Sequence, residues 1–351
     1  HILPNSIQHG SLDAIRFLLQ SGADINYRSQ KRETLIHIAC LHGKHDIVRC
    51  LHSKRANLVN EFDNNYRSVG HCCASGGSVE ILEFILPLGI DPSYTDATGW
   101  NMLHYACWRG KEAMAKHIVD KYPKLLCEET DEGYSVLFCT AFSGNIKLFK
   151  TMNKLMDESL KVYQRANEYA TNEIRYLKIK ATNQETIFHM SCLGGGLEMS
   201  KYLLQTYPTM LHEVDIRKIT PAHMAAHGGN VALLCYLIER GIDPWCKTSE
   251  EGTLLHIACI KGQLEMTKFL IQTYPTMLHE VANSKRTPAH YAAFSGNVAL
   301  LSYLIERGID PWCRTSEEET LLHRTCINGQ LEMTMYLVQA YPSMLHEVDN
   351  R

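Results

Sequence analysis

The tetrapeptide Thr34-Leu35-Ile36-His37 recurs in related form along the chain and decides its fold. Most consecutive copies start 33 or 34 positions apart, and related copies begin at Ser68, Asn101, Ser135, Thr186, Thr220, Thr253, Thr287 and Thr320. A fixed period of this length is typical of stacked supersecondary units, because each unit is too small to bury its own apolar face. The sequence therefore predicts a single solenoid over residues 1–351.

The residues after the tetrapeptide carry a family resemblance. Thr287-Pro288-Ala289-His290-Tyr291-Ala292-Ala293 is followed by Gly296-Asn297, Leu300-Leu301 and Gly308-Ile309-Asp310. This series resembles the ankyrin consensus T-P-L-H-x-A-A…G-x…LL…G-A-D. The resemblance implies an all-α ankyrin-repeat solenoid of about ten helix-turn-helix units with β-hairpin fingers. The predicted units are approximately 1–33, 34–67, 68–100, 101–134, 135–185 with an insertion, 186–219, 220–252, 253–286, 287–319 and 320–351.

Two different signals end the second helix of alternate units. Gly241 and Gly308 suit a left-handed cap. The other units carry a Tyr-Pro pair instead, and proline prevents the helix from continuing. These pairs are Tyr207-Pro208, Tyr274-Pro275 and Tyr341-Pro342.

The period breaks between Ser135 and Thr186, where the next copy arrives about 17 residues late. Apolar residues continue at helical spacing past the expected end of the second helix, which predicts a prolonged helix that returns through residues 172–182. The segment is either a tolerated insertion or a docking or dimerisation element. Because Phe138 replaces the motif histidine, we expect residues 135–185 to be the least stable part of the stack.

Composition favours a soluble, folded chain. Hydrophobic residues make up 45% of the chain and charged residues 21%, which is enough for a continuous core. The formal net charge of −3 gives no general attraction to nucleic acid or to anionic membranes. No apolar run approaches the roughly 18 residues of a membrane-spanning helix. Both ends of the chain fall inside repeats, which predicts a segment of a larger protein.

Five of the thirteen cysteines occupy one repeat position, three residues after the motif histidine: Cys40, Cys107, Cys192, Cys259 and Cys326. This H-x-x-C spacing on a helix could suggest zinc ligands. Alanine fills the same position in sister repeats, however, and copies lie a repeat or more apart, whereas structural zinc needs four convergent ligands. We therefore predict small buried side chains, no metal site and no disulfides. Free thiols indicate a reducing, cytoplasmic location.

The recurring histidine is a candidate general base, but no nucleophile recurs beside it with an orienting carboxylate. In the family that the chain resembles, the motif Thr and His join hydrogen bonds that hold each hairpin to its helix. The resemblance implies this structural role for His37, His71, His104, His189, His223, His256, His290 and His323. Gly194-Gly195-Gly196 follows a helix rather than a strand and is not a phosphate loop. We predict no catalytic residues and no cofactor.

Ankyrin-like proteins use their fingers and the inner-helix positions before the mid-repeat glycine to bind partners. The position seven after each motif start holds a large apolar residue in most units: Leu41, Trp108, Phe142, Leu193, Ile260, Phe294 and Ile327. A continuous apolar strip in the concave groove would bury a partner helix or an extended peptide. The alternative is that these side chains pack against their neighbours along the stack.

The fingers offer aromatic and charged candidates as well. Trp245 and Trp312 are potential anchors for a partner, or they pack against the next finger. Charges of opposite sign precede alternate motifs, in the finger residues Lys218, Glu250, Arg286 and Glu317. Such charges either form lateral ion pairs between adjacent fingers or select a partner with a matching pattern.

The sequence thus predicts a non-enzymatic scaffold that binds another protein and not nucleic acid, and it leaves the oligomeric state open. Two alternatives remain. The repeats are the cytosolic domain of a membrane channel or receptor, or they are the targeting arm of an enzyme encoded elsewhere in the full-length chain.

Overall fold

The structure is a computed structural model that describes residues 2–166 and 180–348. Its contacts divide the chain into two compact units, His1–Thr182 and Asn183–Arg351. Each unit is a row of helix pairs in which the first helices of neighbouring pairs pack on one another. The predicted all-α repeat fold is confirmed.

The first unit contains five helix pairs, each joined by a short turn. They are α1 (Ile2–His9) with α2 (Leu12–Gln20), α3 (Leu35–Leu41) with α4 (His45–Lys54), α5 (Val69–Gly76) with α6 (Val79–Ile85), α7 (Met102–Trp108) with α8 (Glu112–Lys121), and α9 (Val136–Ser143) with α10 (Ile146–Ala166). Short 3-10 helices follow three of the second helices, at Ala56–Asn60, Leu86–Leu88 and Pro123–Cys127.

The second unit repeats this plan. Its pairs are α11 (Ile187–Met190) with α12 (Gly196–Thr206), α13 (Pro221–Gly228) with α14 (Val231–Glu239), α15 (Leu254–Ile260) with α16 (Leu264–Thr273), α17 (Pro288–Ser295) with α18 (Val298–Glu306), and α19 (Leu321–Ile327) with α20 (Leu331–Ala340). Helix α11 continues into a π-helical turn, Ser191–Gly195, so the glycine triplet follows a helix as predicted, and its last member, Gly196, begins α12. The 3-10 helices are Pro208–His212, Pro275–His279, Asn283–Lys285 and Pro342–His346.

The motif tetrapeptide starts the first helix of a pair through a capping box. The backbone N–H of Thr34 donates to Nδ1 of His37 at 3.3 Å, and the backbone N–H of His37 donates to Thr34 Oγ1. The box satisfies two backbone donors that a helix start leaves unpaired. It recurs at Ser68, Asn101, Thr186, Thr220, Thr253, Thr287 and Thr320. The predicted structural role of the motif histidine is confirmed at these positions.

The core lies between successive first helices and beneath the second helices. Leu255 and Ala258 are completely buried in α15, which confirms the helical register. Four of the five repeat cysteines are buried as predicted, but Cys326 is exposed and that part of the prediction is wrong. The physical reason is that α19 belongs to the last pair of the unit and is covered from one side only.

Both predicted helix-ending signals operate. Gly241 and Gly308, at φ 101° and 104°, take up the left-handed conformation just after α14 and α18. At the Tyr-Pro pairs the tyrosine is the C-cap, and the proline then begins a 3-10 helix. Proline suits that first position because it needs no hydrogen-bond partner for a backbone N–H.

The predicted prolonged helix is α10, which runs for 21 residues, whereas α8 has 10. The described chain resumes at Lys180. Thr182 is hydrogen-bonded to the preceding finger. Its backbone N–H and its Oγ1 both donate to the carbonyl oxygen of Glu132, at 3.1 and 2.8 Å. Most of the predicted return through residues 172–182 lies outside the described residues.

The fingers are turns rather than β-hairpins. Within residues 2–166 and 180–348 there is no regular strand, and isolated bridges, among them Arg28–Thr34, Phe62–Ser68 and Ala282–Arg286, lie where hairpins were expected. Each finger is too short to pair more than a residue or two of its own arms. Neighbouring fingers are joined instead by single backbone hydrogen bonds, such as Asn64 N–H to Lys31 O at 2.9 Å.

Candidate partner-binding surface

The predicted groove residues lie in the last two positions of a first helix, except Leu193, which lies in the π-helical turn after α11. Six of them are half-buried: Leu41, Trp108, Phe142, Leu193, Ile260 and Phe294. The seventh, Ile327, is 57% exposed because it ends α19 in the last pair. Each unit therefore presents a row of apolar side chains that contact neighbours and also keep some surface in solvent.

The firmest contact in this row is between Trp108 of α7 and Phe142 of α9. Their ring centroids lie 3.5 Å apart and their planes differ by 9°, so the rings are stacked. Such a pair contributes roughly 0.5–1.5 kcal/mol beyond the area that it buries. The stack holds both rings in place, so that they form a rigid aromatic platform.

Sequence reasoning missed the aromatic residues that surround this platform. The ring of Trp100 lies 5.1 Å from that of Trp108 and 5.4 Å from that of Tyr105. Tyr105 donates from its hydroxyl to Asp96 Oδ2 at 2.6 Å, and burial followed by this bond raises the pKa of Tyr105 well above its usual value. The dense run of aromatic residues between 94 and 108 was the available signal.

The aromatic surface of the first unit continues towards an earlier finger. The rings of Phe62 and Tyr94 lie 5.0 Å apart, and Phe62 is 40% exposed. They line a cavity of 260 Å³ together with Val59, Ile90 and Asp91. This volume is near the lower end for ligand pockets and suits one apolar side chain of a partner better than a whole small molecule.

In the second unit, polar side chains fix the spacing of the groove row. Gln330 Nε2 donates to the carbonyl oxygen of Phe294 at 3.1 Å, and Gln263 Nε2 donates to that of His227 at 2.9 Å. The guanidinium of Arg324 lies 5.6 Å from the centre of the Phe294 ring, within cation–π range. These bonds join each turn to the next and set the distance between successive groove residues.

Trp245 and Trp312 occupy the same place in two repeats of the second unit. Each backbone N–H donates to an aspartate two residues earlier, Asp243 or Asp310, at 2.9 Å. Each indole lies edge-on to a tyrosine of the next repeat, at 6.0 and 6.1 Å. About a third of each side chain remains exposed, so the contact with the next repeat leaves surface available.

Whether the alternating finger charges form lateral ion pairs or select a partner remains a prediction. Among the described residues, Lys218 and Glu250 form no ion pair, and both are exposed. Lateral pairs do join neighbouring repeats, one of them through Arg217, which precedes Lys218. These pairs are Arg28–Glu61, Arg67–Glu33, Arg217–Glu185, Lys247–Glu280 and Arg314–Glu347. Arg286 and Glu317 are half-buried.

The repeated cysteines and histidines have the properties of core residues. Burial raises the pKa of Cys192 and Cys259 to about 12, which keeps both thiols protonated and poorly nucleophilic. Burial lowers the pKa of His71 and His256 to about 4, so both imidazoles are neutral near pH 7. In the part of the chain that the structure describes, no group of three or more His, Cys, Asp or Glu side chains could hold a metal ion.

Over residues 2–166 and 180–348, no helix is both long enough and apolar enough to cross a bilayer.

A profile of the family described as ankyrin repeats (3 copies) matches residues 5–96, 71–166 and 223–315, which together make up more than half of the chain. Among curated relatives, alpha-latrocrustotoxin-Lt1a of Latrodectus tredecimguttatus is 25% identical over 299 residues. That alignment covers 85% of this chain and 20% of the toxin.

Two other relatives match shorter stretches. The transient receptor potential cation channel subfamily A member 1 homolog of Caenorhabditis elegans is 28% identical over 151 residues, or 43% of this chain and 12% of the channel. Palmitoyltransferase AKR1 of Lachancea kluyveri is 24% identical over 154 residues, or 42% of this chain and 21% of that protein. The chain therefore spans between 12% and 21% of the length of these three relatives.

Proposed function

The chain belongs to the ankyrin-repeat family of protein–protein interaction modules, and on that premise we propose that it binds a partner helix or extended peptide along its groove row. The groove row consists of Leu41, Trp108 and Phe142 in the first unit and of Leu193, Ile260, Phe294 and Ile327 in the second. A partner with apolar side chains at helical or alternating spacing would cover their exposed surface.

The observation that carries this proposal is the stacked pair Trp108–Phe142. Large aromatic side chains dominate the energetics of protein interfaces, particularly where the partner does not have to order them on binding. Here the stack has already fixed both rings. Trp100 and Tyr105 enlarge the apolar area around them.

The fingers contribute the rim of the proposed interface. Trp245 and Trp312 supply partly exposed aromatic surface, while Lys218, Glu250, Arg286 and Glu317 supply charge. Rim charges of this kind govern association rate and partner choice more than affinity. The net charge of −3 favours a protein partner over nucleic acid.

The proposed role needs no catalytic residue and no cofactor from this chain. Buried, protonated thiols such as those of Cys192 and Cys259 suit a reducing compartment, and we assign the module to the cytoplasm.

A second candidate function is supported by the relatives. One relative is named as a cation channel and another as a palmitoyltransferase. The repeats of this chain would then serve as the cytosolic domain of a channel or as the targeting arm of an enzyme. The full-length coding sequence decides between them, because membrane-spanning helices support the first and a catalytic domain the second.

The test of groove binding is affinity capture from the source cells with the wild-type chain and with a Phe142→Asp, Phe294→Asp double variant. The variant should lose the captured protein and keep its melting temperature to within a few degrees. Phe17→Asp is a matched control, because Phe17 is 67% exposed on α2 and lies outside the groove row. Equal capture by wild type and double variant would overturn the proposal.

A further inference from the structure

One position of every finger has an unusual backbone conformation. It lies two residues before the capping residue and takes a left-handed φ in each of the nine fingers that the structure describes. Glycine, the residue that adopts this conformation without strain, occupies it only at Gly99 and Gly133. The other seven are Arg32, Tyr66, Gln184, Lys218, Glu251, Lys285 and Glu318, at φ between 56° and 68°.

A side chain at a left-handed position costs stability and needs a reason to be there. The reason is not packing, because Lys218, Glu251, Lys285 and Glu318 are all exposed. These four are consecutive fingers of the second unit, and their charges alternate in sign along the row. We name them the finger-tip row.

The finger-tip row is not neutralised from finger to finger. Within the described residues no ion pair joins one member to another, and Lys218 and Lys285 form none at all. Glu251 and Glu318 approach only a basic residue of their own finger, Lys247 or Arg314. The two lysines are therefore available to a partner, and the two glutamates, which are exposed, can exchange their pairs within the finger for pairs with a partner.

The spacing of the row is regular, because each finger is hydrogen-bonded to the next. Ser249 N–H donates to Arg217 O at 2.8 Å, Asn283 N–H to Glu250 O at 2.9 Å, and Ser316 N–H to Ser284 O at 2.8 Å. Packed helix pairs repeat about every 10 Å. A peptide in the polyproline II conformation has three residues per turn and rises about 3.1 Å per residue, so every third side chain lies on the same face and matches one finger.

We propose that the finger-tip row recognises a peptide segment in the polyproline II conformation that carries acidic and basic side chains alternately at every third residue. This inference rests on the proposed binding function and adds the chemistry of the partner to it. The first charged residue of the peptide is acidic and pairs with Lys218. The second is basic and pairs with Glu251, and the same order repeats at Lys285 and Glu318. The left-handed backbone places these side chains at the tips.

The test uses fluorescein-labelled decapeptides at low ionic strength, where exposed charges are least screened. One peptide carries Glu, Lys, Glu, Lys at positions one, four, seven and ten, with serine between them. The other carries Glu, Glu, Lys, Lys at the same positions. The second peptide places Glu opposite Glu251 and Lys opposite Lys285, so two weak attractions become two weak repulsions, and the alternating peptide should bind about tenfold more tightly. Equal affinities would overturn the proposal.

A specificity switch strengthens the test. Glu251→Lys with Glu318→Lys makes the finger-tip row wholly positive, and the variant should prefer a decapeptide with Glu at all four positions over the alternating one. Glu265→Lys with Glu332→Lys is the matched control, since it makes the same charge change on exposed first turns of α16 and α20. A switch of equal size in the control would mean that net charge alone governs binding, and the proposal would fail.

The outcome is separable from that of the groove proposal. The peptides have no apolar residues, so a failure of the peptides to bind would contradict the finger-tip proposal and leave the groove proposal standing. Conversely, the Phe142→Asp, Phe294→Asp variant should bind the alternating peptide as the wild type does. Loss of peptide binding in that variant would place the peptide in the groove and contradict the finger-tip assignment.

Discussion

His37 donates a hydrogen bond from Nε2 to the carbonyl oxygen of Arg67, 3.2 Å away in the next repeat. The direction follows from the other ring nitrogen, because Nδ1 accepts the backbone N–H of Thr34 and cannot carry the proton as well. A neutral imidazole thus caps its own helix and holds the following finger. The same bond joins His71 to Trp100, His189 to Ile219 and His290 to Glu319.

These histidines predict a loss of stability in mild acid. Burial lowers the pKa of His71, His104 and His256 to about 4, whereas an unfolded histidine titrates near 6.5. Between these values the unfolded chain binds more protons, so the free energy of unfolding falls as the pH falls from 6.5 towards 4. Each buried histidine should cost about 1–2 kcal/mol between pH 7 and pH 5. Urea unfolding at pH 7 and pH 5 measures this loss of unfolding free energy.

The control for this prediction is His279→Asn, because His279 is exposed in the 3-10 helix Pro275–His279. The unfolding free energy of this variant should depend on pH as that of the wild type does. His71→Asn should make the pH dependence smaller by the contribution of one buried histidine. An unfolding free energy that is the same at pH 7 and pH 5 would refute the assignment of neutral, buried imidazoles.

The capping box predicts the effect of changing its threonine. Thr253→Ala removes the Oγ1 that lies 2.9 Å from His256 Nδ1 and should cost about 1 kcal/mol of unfolding free energy. Thr253→Ser keeps the hydroxyl and should stay within about 0.3 kcal/mol of wild type, as Ser68 shows that serine can form the same box. Equal losses in the two variants would show that the methyl group, not the hydroxyl, matters.

The repeat architecture could be predicted from sequence because its causes are local and recur. Thr34 and His37 mark a helix start by their own chemistry, and Gly241 and Tyr207-Pro208 mark helix ends in the same way. The prolonged helix α10 was visible because apolar residues continued at helical spacing without a stop signal. Each of these features needs only a few neighbouring residues to specify it.

The candidate site was less predictable because its contacts join residues far apart in the chain. The stack of Trp108 on Phe142 depends on how neighbouring pairs pack, and Trp100 reaches it from a finger. The left-handed tips had no sequence signature, because the usual glycine is absent at Lys218 and its equivalents. Cys326 was misjudged because repeat position alone does not tell whether a neighbouring pair covers it.

The core of the stack predicts a large penalty for a cavity. Leu255→Ala should lower the unfolding free energy by roughly 2–5 kcal/mol, because Leu255 is fully buried in α15. Leu331→Ala makes the same chemical change on a side chain that is 70% exposed in α20, and should cost less than about 0.5 kcal/mol. Similar losses in both variants would be incompatible with the helix register described above.

The finger-tip backbone predicts that glycine is more stable than alanine at every left-handed position. At Lys218, φ is 57°, so Lys218→Gly should be about 0.5–1 kcal/mol more stable than Lys218→Ala. Both variants lose the charged side chain, but only alanine keeps the strain of the left-handed backbone. Gly99→Ala should be destabilising by about 1 kcal/mol or more, because a Cβ there would lie 2.7 Å from the backbone nitrogen of Asp131. Urea unfolding of the three variants measures both effects. If Lys218→Gly and Lys218→Ala were equally stable, the left-handed position would carry no strain, and the case for a functional reason behind its charged side chains would disappear.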